Sequence, residues 1–352
     1  MSSASTTAIS CLESIIKSQL ISPLPTAELN ASLVVDSKNS LGECILYDEK
    51  TNKILWTDIY GRTFHTLSLD CHRVTSHNVP KQLCSFALTS GLNEGVYLCA
   101  WEDGFQLYDI IKGTAVSEMS AGIPVTPLGP PTRLNDGRCD RTGKRFICGG
   151  FYGDVKGNHM KAFRCECSPT PKKNSDVPHL VHFELDTIDI PDLEVTNSIC
   201  FSPNGNTMYF ADSPKREIYA YNYHEASGRC TAKRSLWQAQ IGVPDGSCID
   251  SEGFIWNAAW RSGYGPGKVH RINPVTGQVV FTVNLPDNTS QASCCCFGGK
   301  NLDVLFISTA AVDRDIDKEP NSGGVYACKL PFTGLQESRF QVPPKEIVLN
   351  ES

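Results

Sequence analysis

None of the sixteen cysteines belongs to a CxxC pair, so zinc-ribbon spacing is absent from this chain of 352 residues. No stretch approaches the ~18 uninterrupted apolar residues of a membrane span. Excess basic charge is missing too: the formal net charge is -6, which argues against a surface that holds nucleic-acid phosphates. Residues 1–20 are rich in Ser and Thr and lack the basic segment and clean apolar run of a signal peptide. The expected setting is cytoplasmic, with organelle targeting by the N-terminal extension left open, and no nucleic acid or membrane as partner. Gly-rich phosphate loops and nucleophile elbows are absent. The eight histidines are scattered, and none falls at the start of a repeated segment, so nothing points to a histidine-dependent hydrolase.

What the chain does have is glycine, 28 residues of it, with charged residues held to 20% and no long apolar heptads. That balance favours a β-rich globular protein. Four polar residues, Glu43, Asn135, Asn197 and Asp245, recur at one place in a repeated segment. Five positions later comes a second turn-forming residue: Asp48, Asp140, Ser202 or Asp250. Gly143, Gly205 and Gly253 follow three positions on in three cases, and Glu49 to Asn52 stand there in the fourth.

Unit starts near Glu43, Ala87, Asn135, Asn197, Asp245 and Ser293 are 44, 48, 62, 48 and 48 residues apart. Units of ~40–50 residues with several short strands each are the signature of a β-propeller. The fold class expected is therefore all-β, a six-bladed β-propeller of four-stranded blades around a central channel. It occupies residues 31–340, after an extension of flexible or helical character (1–30) and before a tail (341–352). The long third interval is read as a surface insertion at 156–178, polar and without strand periodicity. Leu33 to Val35 supply a strand to close the sixth blade, whose other strands lie in Ser293 to Leu330. The cysteines read as reduced thiols used as small hydrophobes, with Cys165 and Cys167 in a polar loop and Cys294 to Cys296 alternating between two faces of a strand.

Inner strands of a propeller face the channel, and residues two apart share a face. Arg133 and Asn135 should point the same way, and Glu43, Asn197 and Asp245 should join them from three other blades. Two carboxylates with one or two amide oxygens are a hard, all-oxygen set, suited to Ca²⁺, Mg²⁺ or Mn²⁺ rather than zinc. Arg133 adds a fixed charge and a fork of donors for an oxygen-rich or developing anionic group. Asp136, one residue beyond Asn135, should point to the opposite face of a regular strand.

At these residues the chain resembles the regucalcin (senescence marker protein)/gluconolactonase family of six-bladed propellers. The stretches that carry the likeness are Leu41-Gly-Glu-Cys, Arg133-Leu-Asn-Asp-Gly-Arg-Cys-Asp, Thr196-Asn-Ser-Ile and Val243-Pro-Asp-Gly-Ser-Cys-Ile-Asp. The resemblance implies a lactonase that opens the ester ring of a sugar lactone with one divalent cation, Ca²⁺ as the bound ion and Mg²⁺, Mn²⁺ or Zn²⁺ as alternatives. Glu43, Asn197 and Asp245 would be the metal ligands, with Asp245 also activating water. Arg133 and Asn135 would contact substrate, and Asp154 is the nearest candidate for a further substrate-binding acid after the third blade's second strand. Two other functions fit the same resemblance: an organophosphate or aryl-ester hydrolase on the same metal, and a calcium-binding regulator with little turnover. The family's usual Asn-Gly in the fourth blade is here Asn197-Ser198.

Overall fold

Short alternating runs broken by Asn, Asp and Gly turns build six sheets of antiparallel strands, arranged as the blades of a six-bladed propeller. The computed structural model describes residues 3–18, 27–120, 132–152, 160–167 and 183–343. The inner strands, in blade order, are Gly42–Asp48, Leu83–Ser90, Thr132–Cys139, Thr196–Phe201, Val243–Ile249 and Ala292–Gly298. Each runs antiparallel to the second strand of its own blade. Fully buried aromatic residues between the blades, among them Trp56, Phe86, Phe146, Phe210, Trp256 and Phe306, fill the core.

The second recurring residue of each unit makes the hairpin turn at the base of its inner strand. Asp48 Oδ1 accepts from the Lys50 amide at 3.1 Å, and Asp250 Oδ1 accepts from the Glu252 and Phe254 amides at 3.0 and 2.9 Å. Such side-chain turns are what short Asx residues favour. Gly143, Gly205, Gly253 and, in the first unit, Asn52 then take positive φ (72°, 73°, 88° and 50°), the left-handed region that Gly and Asn tolerate best.

All six inner strands carry a register shift near the opposite end, at Glu43/Leu46, Leu83/Ser85, Leu134/Gly137, Asn197/Cys200, Pro244/Ser247 and Ala292/Cys294. A bulge opposes an extra residue to one partner and re-aims the side chains around it. In the second blade it falls at Cys84, so that unit is in register there and not at Ala87. Asp136 is likewise turned: it is buried, its Oδ2 accepts from the Ile199 amide of the next blade at 2.9 Å, and its charge bears on Glu43 and Asp245. The regular strand assumed for it from the sequence does not exist there.

The third blade departs from expectation in a second way. Met160–Cys167 is a strand, paired with Arg145–Gly149 on one side and with Phe183–Ile188 on the other. Part of the 156–178 stretch is thus blade, with Cys165 in the core and Cys167 packed beside it. The sixteen cysteines are free thiols, twelve of them buried, and Cys294 and Cys296 pack in one cluster while Cys295 packs in another.

Both chain ends lock the ring. Ser32–Val35 is the outer strand of the sixth blade, antiparallel to Val325–Ala327, and Glu28–Asn30 adds a parallel fifth strand to the fifth blade. An N-terminal helix, Ser3–Lys17, buries Leu12 in the cluster under the sixth blade's outer strand. The other end crosses the base of the channel. Thr333 accepts from the Ser251 amide, Arg339 pairs with Asp48 and Glu49, and Phe340–Gln341 lie parallel to Thr89–Ser90. Glu337 on this strap meets Arg138 inside the channel at 2.9 Å.

Candidate active site at the open mouth of the channel

Opposite the strap, the channel widens into a cavity of about 360 Å³ whose floor is Glu43, Asn135, Asn197 and Asp245. Each floor residue comes from a different inner strand and stands at its bulge. In two blades the bulge also demands a non-glycine residue at positive φ, Cys44 at 48° and Ser198 at 63°. Strained backbone of this kind costs of order 1–3 kcal/mol and persists where the surroundings over-determine it. Ser198 is held by its hydroxyl, 2.6 Å from that of Ser247, and Asn257 Nδ2 donates to Ser247 Oγ and to the Asp245 carbonyl at 3.0 and 2.9 Å.

The two amides are oriented by their bonds. Asn197 Nδ2 donates to Ser213 Oγ at 2.8 Å, which leaves its Oδ1 towards the floor, where it accepts from Asn135 Nδ2 at 3.0 Å. Asn135 Nδ2 also donates to the Thr196 carbonyl at 2.7 Å, and its Oδ1 accepts from Arg133 Nη1. The Arg133 guanidinium lies 4.7 Å from the ring centre of Phe151 and 5.6 Å from that of Tyr60. Stacking of this kind suits the flat, weakly hydrated guanidinium and holds it at one edge of the cavity.

Burial, followed by the charge of Asp136, raises the Glu43 carboxyl to about 8, although part of its surface opens to the cavity. The Cys44 amide and Arg133 oppose the shift without cancelling it. Asp245 is pushed well above the usual carboxylate range by burial, then by Glu43 and Asp136. Among the described residues no side chain donates a hydrogen bond to either carboxylate. Arg138, the other cation of the channel, is engaged with Glu337 and with the Ser247 carbonyl. Ionising these carboxyls together is unfavourable where they lie, and their free oxygen lone pairs are what a bound dication would engage and compensate. Among the described residues no group of three His, Cys, Asp or Glu side chains could hold a metal. The floor is a mixed carboxylate and amide set, and it fits a hard cation.

Five of the six residues singled out from the sequence therefore meet in one place. The sixth, Asp154, lies outside the described residues. Sequence reasoning missed the cavity wall. Leu41, Val195 and Val243 stand two positions before Glu43, Asn197 and Asp245 and form a tier above the floor, with Arg133 as its fourth member. The period of two that located Arg133 would have found all three. Tyr60, Phe151, Pro214, Trp260 and Val312, at or just beyond the ends of second strands, complete the wall.

Fold and site together define a six-bladed propeller with an oxygen-donor floor at one mouth of its channel. The chain belongs to the SMP-30/gluconolactonase/LRE-like family, whose model matches residues 41–311. It is 30% identical to L-arabinolactonase of Azospirillum brasilense, over 90% of this chain and 97% of that protein. It is 29% identical to regucalcin of Danio rerio, over 88% of this chain and 96% of that one. Among solved structures, a calcium-binding protein, regucalcin, from Agrobacterium tumefaciens superposes with a TM-score of 0.73 at 23% identity, covering 90% of this chain and 98% of that one. That last likeness speaks for the fold.

Proposed function

We propose that this protein hydrolyses the ester ring of a sugar-type lactone, giving the open hydroxy acid, with a divalent cation held by Glu43, Asn197 and Asp245. The observation that carries the reading is the floor itself: four oxygen-bearing side chains from four blades converge at the head of a channel, two of them carboxyls whose ionised forms burial and their neighbours disfavour in the absence of a cation. Kinship with an arabinolactonase along nearly the full length of both proteins gives the substrate class.

A cation held by Glu43, Asn197 and Asp245 would polarise the lactone carbonyl, lower the pKa of nearby water and favour the ionised form of Asp245, which burial, Glu43 and Asp136 oppose. Asp245 then takes a proton from water as the water oxygen bonds to the carbonyl carbon. The ring C–O bond breaks, and the ring oxygen leaves as an alcohol with a proton returned from the same carboxyl. Arg133, fixed between Phe151 and Tyr60, donates to the substrate's oxygens at the cavity edge, and Asn135 holds Arg133 and Asn197 in register. The tier of Leu41, Val195 and Val243 keeps bulk water away from the floor.

Hydrolysis of D-glucono-δ-lactone, followed by acid release with calcium, manganese or magnesium present and again after chelation, tests the proposal. Asp245→Ala is expected to lower kcat by about 10²–10⁴-fold, and Arg133→Ala to act mainly on KM. Full activity in the chelated protein or in Asp245→Ala overturns the mechanism.

A further inference from the structure

The strap across the base of the channel makes two kinds of contact. Thr333, Arg339 and Gln341 bond to turns around the rim, at Ser251, Asp48 and Thr142. Glu337 instead reaches inward, where it accepts from Arg138 Nη1 at 2.9 Å. Arg138 carries the contact up the channel: its Nη2 donates to the Ser247 carbonyl at 2.7 Å. Ser247 lies two residues beyond Asp245 at the fifth-blade bulge, and its hydroxyl meets that of Ser198 at 2.6 Å and Asn257 Nδ2 at 3.0 Å. Asn257 Nδ2 also holds the Asp245 carbonyl. A chain of hydrogen bonds thus leads from the strap to the backbone that presents Asp245. The Arg138 charge bears as well on Asp136, whose carboxylate accepts from the Ile199 amide, two residues beyond Asn197. Arg138 therefore stands behind two of the bulges that build the floor.

A buried guanidinium keeps its place while its charge is paired and its donors are used. Arg138 is buried, and Glu337 is the carboxylate that bonds it. Without Glu337 that cation would be less compensated beneath the floor, where it repels a bound dication and is freer to leave Ser247 for another acceptor. We propose that the strap is a working part of the site: Glu337 is a positioning residue that, through Arg138, fixes the fifth-blade bulge presenting Asp245. This rests on the reading of the floor as a cation site and extends that site to the far end of the channel.

Three variants of the full chain separate this role from general loosening of the strap. They are Glu337→Ala, Glu337→Gln, which keeps an acceptor for Arg138 without the charge, and Arg339→Ala, which frees the strap at the rim. Hydrogen exchange over residues 243–249 is followed in chelator, and calcium affinity is measured by calorimetry. In Glu337→Ala, exchange over that segment should be severalfold faster and calcium binding about tenfold weaker. Glu337→Gln should fall between that variant and the unsubstituted protein. Arg339→Ala should match the unsubstituted protein in both measurements, even where heat melts show a comparable loss of stability. Glu337→Ala behaving like Arg339→Ala overturns the proposal, and should Glu337→Ala not fold, Glu337→Gln decides it by the same comparison. If the unsubstituted protein binds none of calcium, manganese or magnesium, the cation reading fails, while exchange over residues 243–249 still decides the role of the strap.

Discussion

Asn197 donates its Nδ2 to the Ser213 hydroxyl at 2.8 Å, and that hydroxyl donates in turn to the Pro244 carbonyl at 2.7 Å. With its proton committed to Pro244, Ser213 can only accept from Asn197, so the amide oxygen of Asn197 is turned to the floor. Ser213 supports a candidate ligand in the way that outer-shell partners commonly do. Ser213→Ala is therefore expected to weaken calcium binding about 10–100-fold while leaving the fold intact. Calorimetric titration of calcium into the purified variant measures this, and an unchanged affinity would contradict the orienting role.

Glu43, Asp136 and Asp245 bear on one another at the head of the channel. A ligand at a hundredfold its Kd stabilises by about 2.7 kcal/mol, so saturating calcium should raise the melting temperature of the wild-type chain clearly. Glu43→Gln should lose most of that rise at the same calcium concentration. In chelator the variant should be no less stable than wild type, because one of the three mutually unfavourable carboxyls is gone. A full calcium-dependent rise in Glu43→Gln removes Glu43 from the ligand set.

Ser198 combines an unfavourable φ with a favourable hydroxyl contact to Ser247. Ser198→Gly relieves about 1 kcal/mol of strain and gives up a bond of about the same worth, so stability should change little. Ser198→Ala keeps the strain and loses the bond, with an expected cost of about 1–2 kcal/mol. Urea midpoints order the three proteins, and an alanine variant more stable than the glycine variant would refute the account.

Two histidines lie outside the lining of the candidate site, His65 buried and His270 partly buried. Burial lowers His65 and His270 to about 4 each, from a usual 6.5. His65 is stacked on Trp56 at 5.0 Å and bonded to Ser76 at 2.8 Å. As pH falls below 6.5 the unfolded chain takes up protons that the folded chain refuses, so stability drops from pH 6.5 down to about 4 and levels off below. Between pH 6.5 and 5 each contributes a loss of up to about 2 kcal/mol. His65→Gln with His270→Gln should flatten that part of the pH–stability curve, and an identical slope in the double variant would rule the histidines out as its cause.

The ring, its six blades and the convergence of Glu43, Asn135, Asn197 and Asp245 were legible because repetition and a period of two survive in the residues themselves. What failed did so where the backbone breaks that period. Bulges insert an extra residue into every inner strand, which is why Asp136 faces inward and why the second blade registers on Cys84, an apolar site with no polar residue to mark it. Met160–Cys167 escaped notice because Lys161, Arg164 and Glu166 give it a polar texture in the middle of an unpatterned stretch, although Phe163, Cys165 and Cys167 alternate. The apolar tier was readable at Leu41, Val195 and Val243, but polar residues drew attention away from what lay two positions before them.

Closing the ring with its own beginning imposes an order on synthesis. Ser32–Val35 leaves the ribosome first, yet its partner Val325–Lys329 follows some 290 residues later, roughly 15–60 s at ordinary elongation rates. Until then five blades form an open arc with raw edges at both ends, the kind of surface that pairs readily with a neighbouring chain. Yield in the cell should thus depend on how well that interval is guarded, independently of how stable the finished ring becomes.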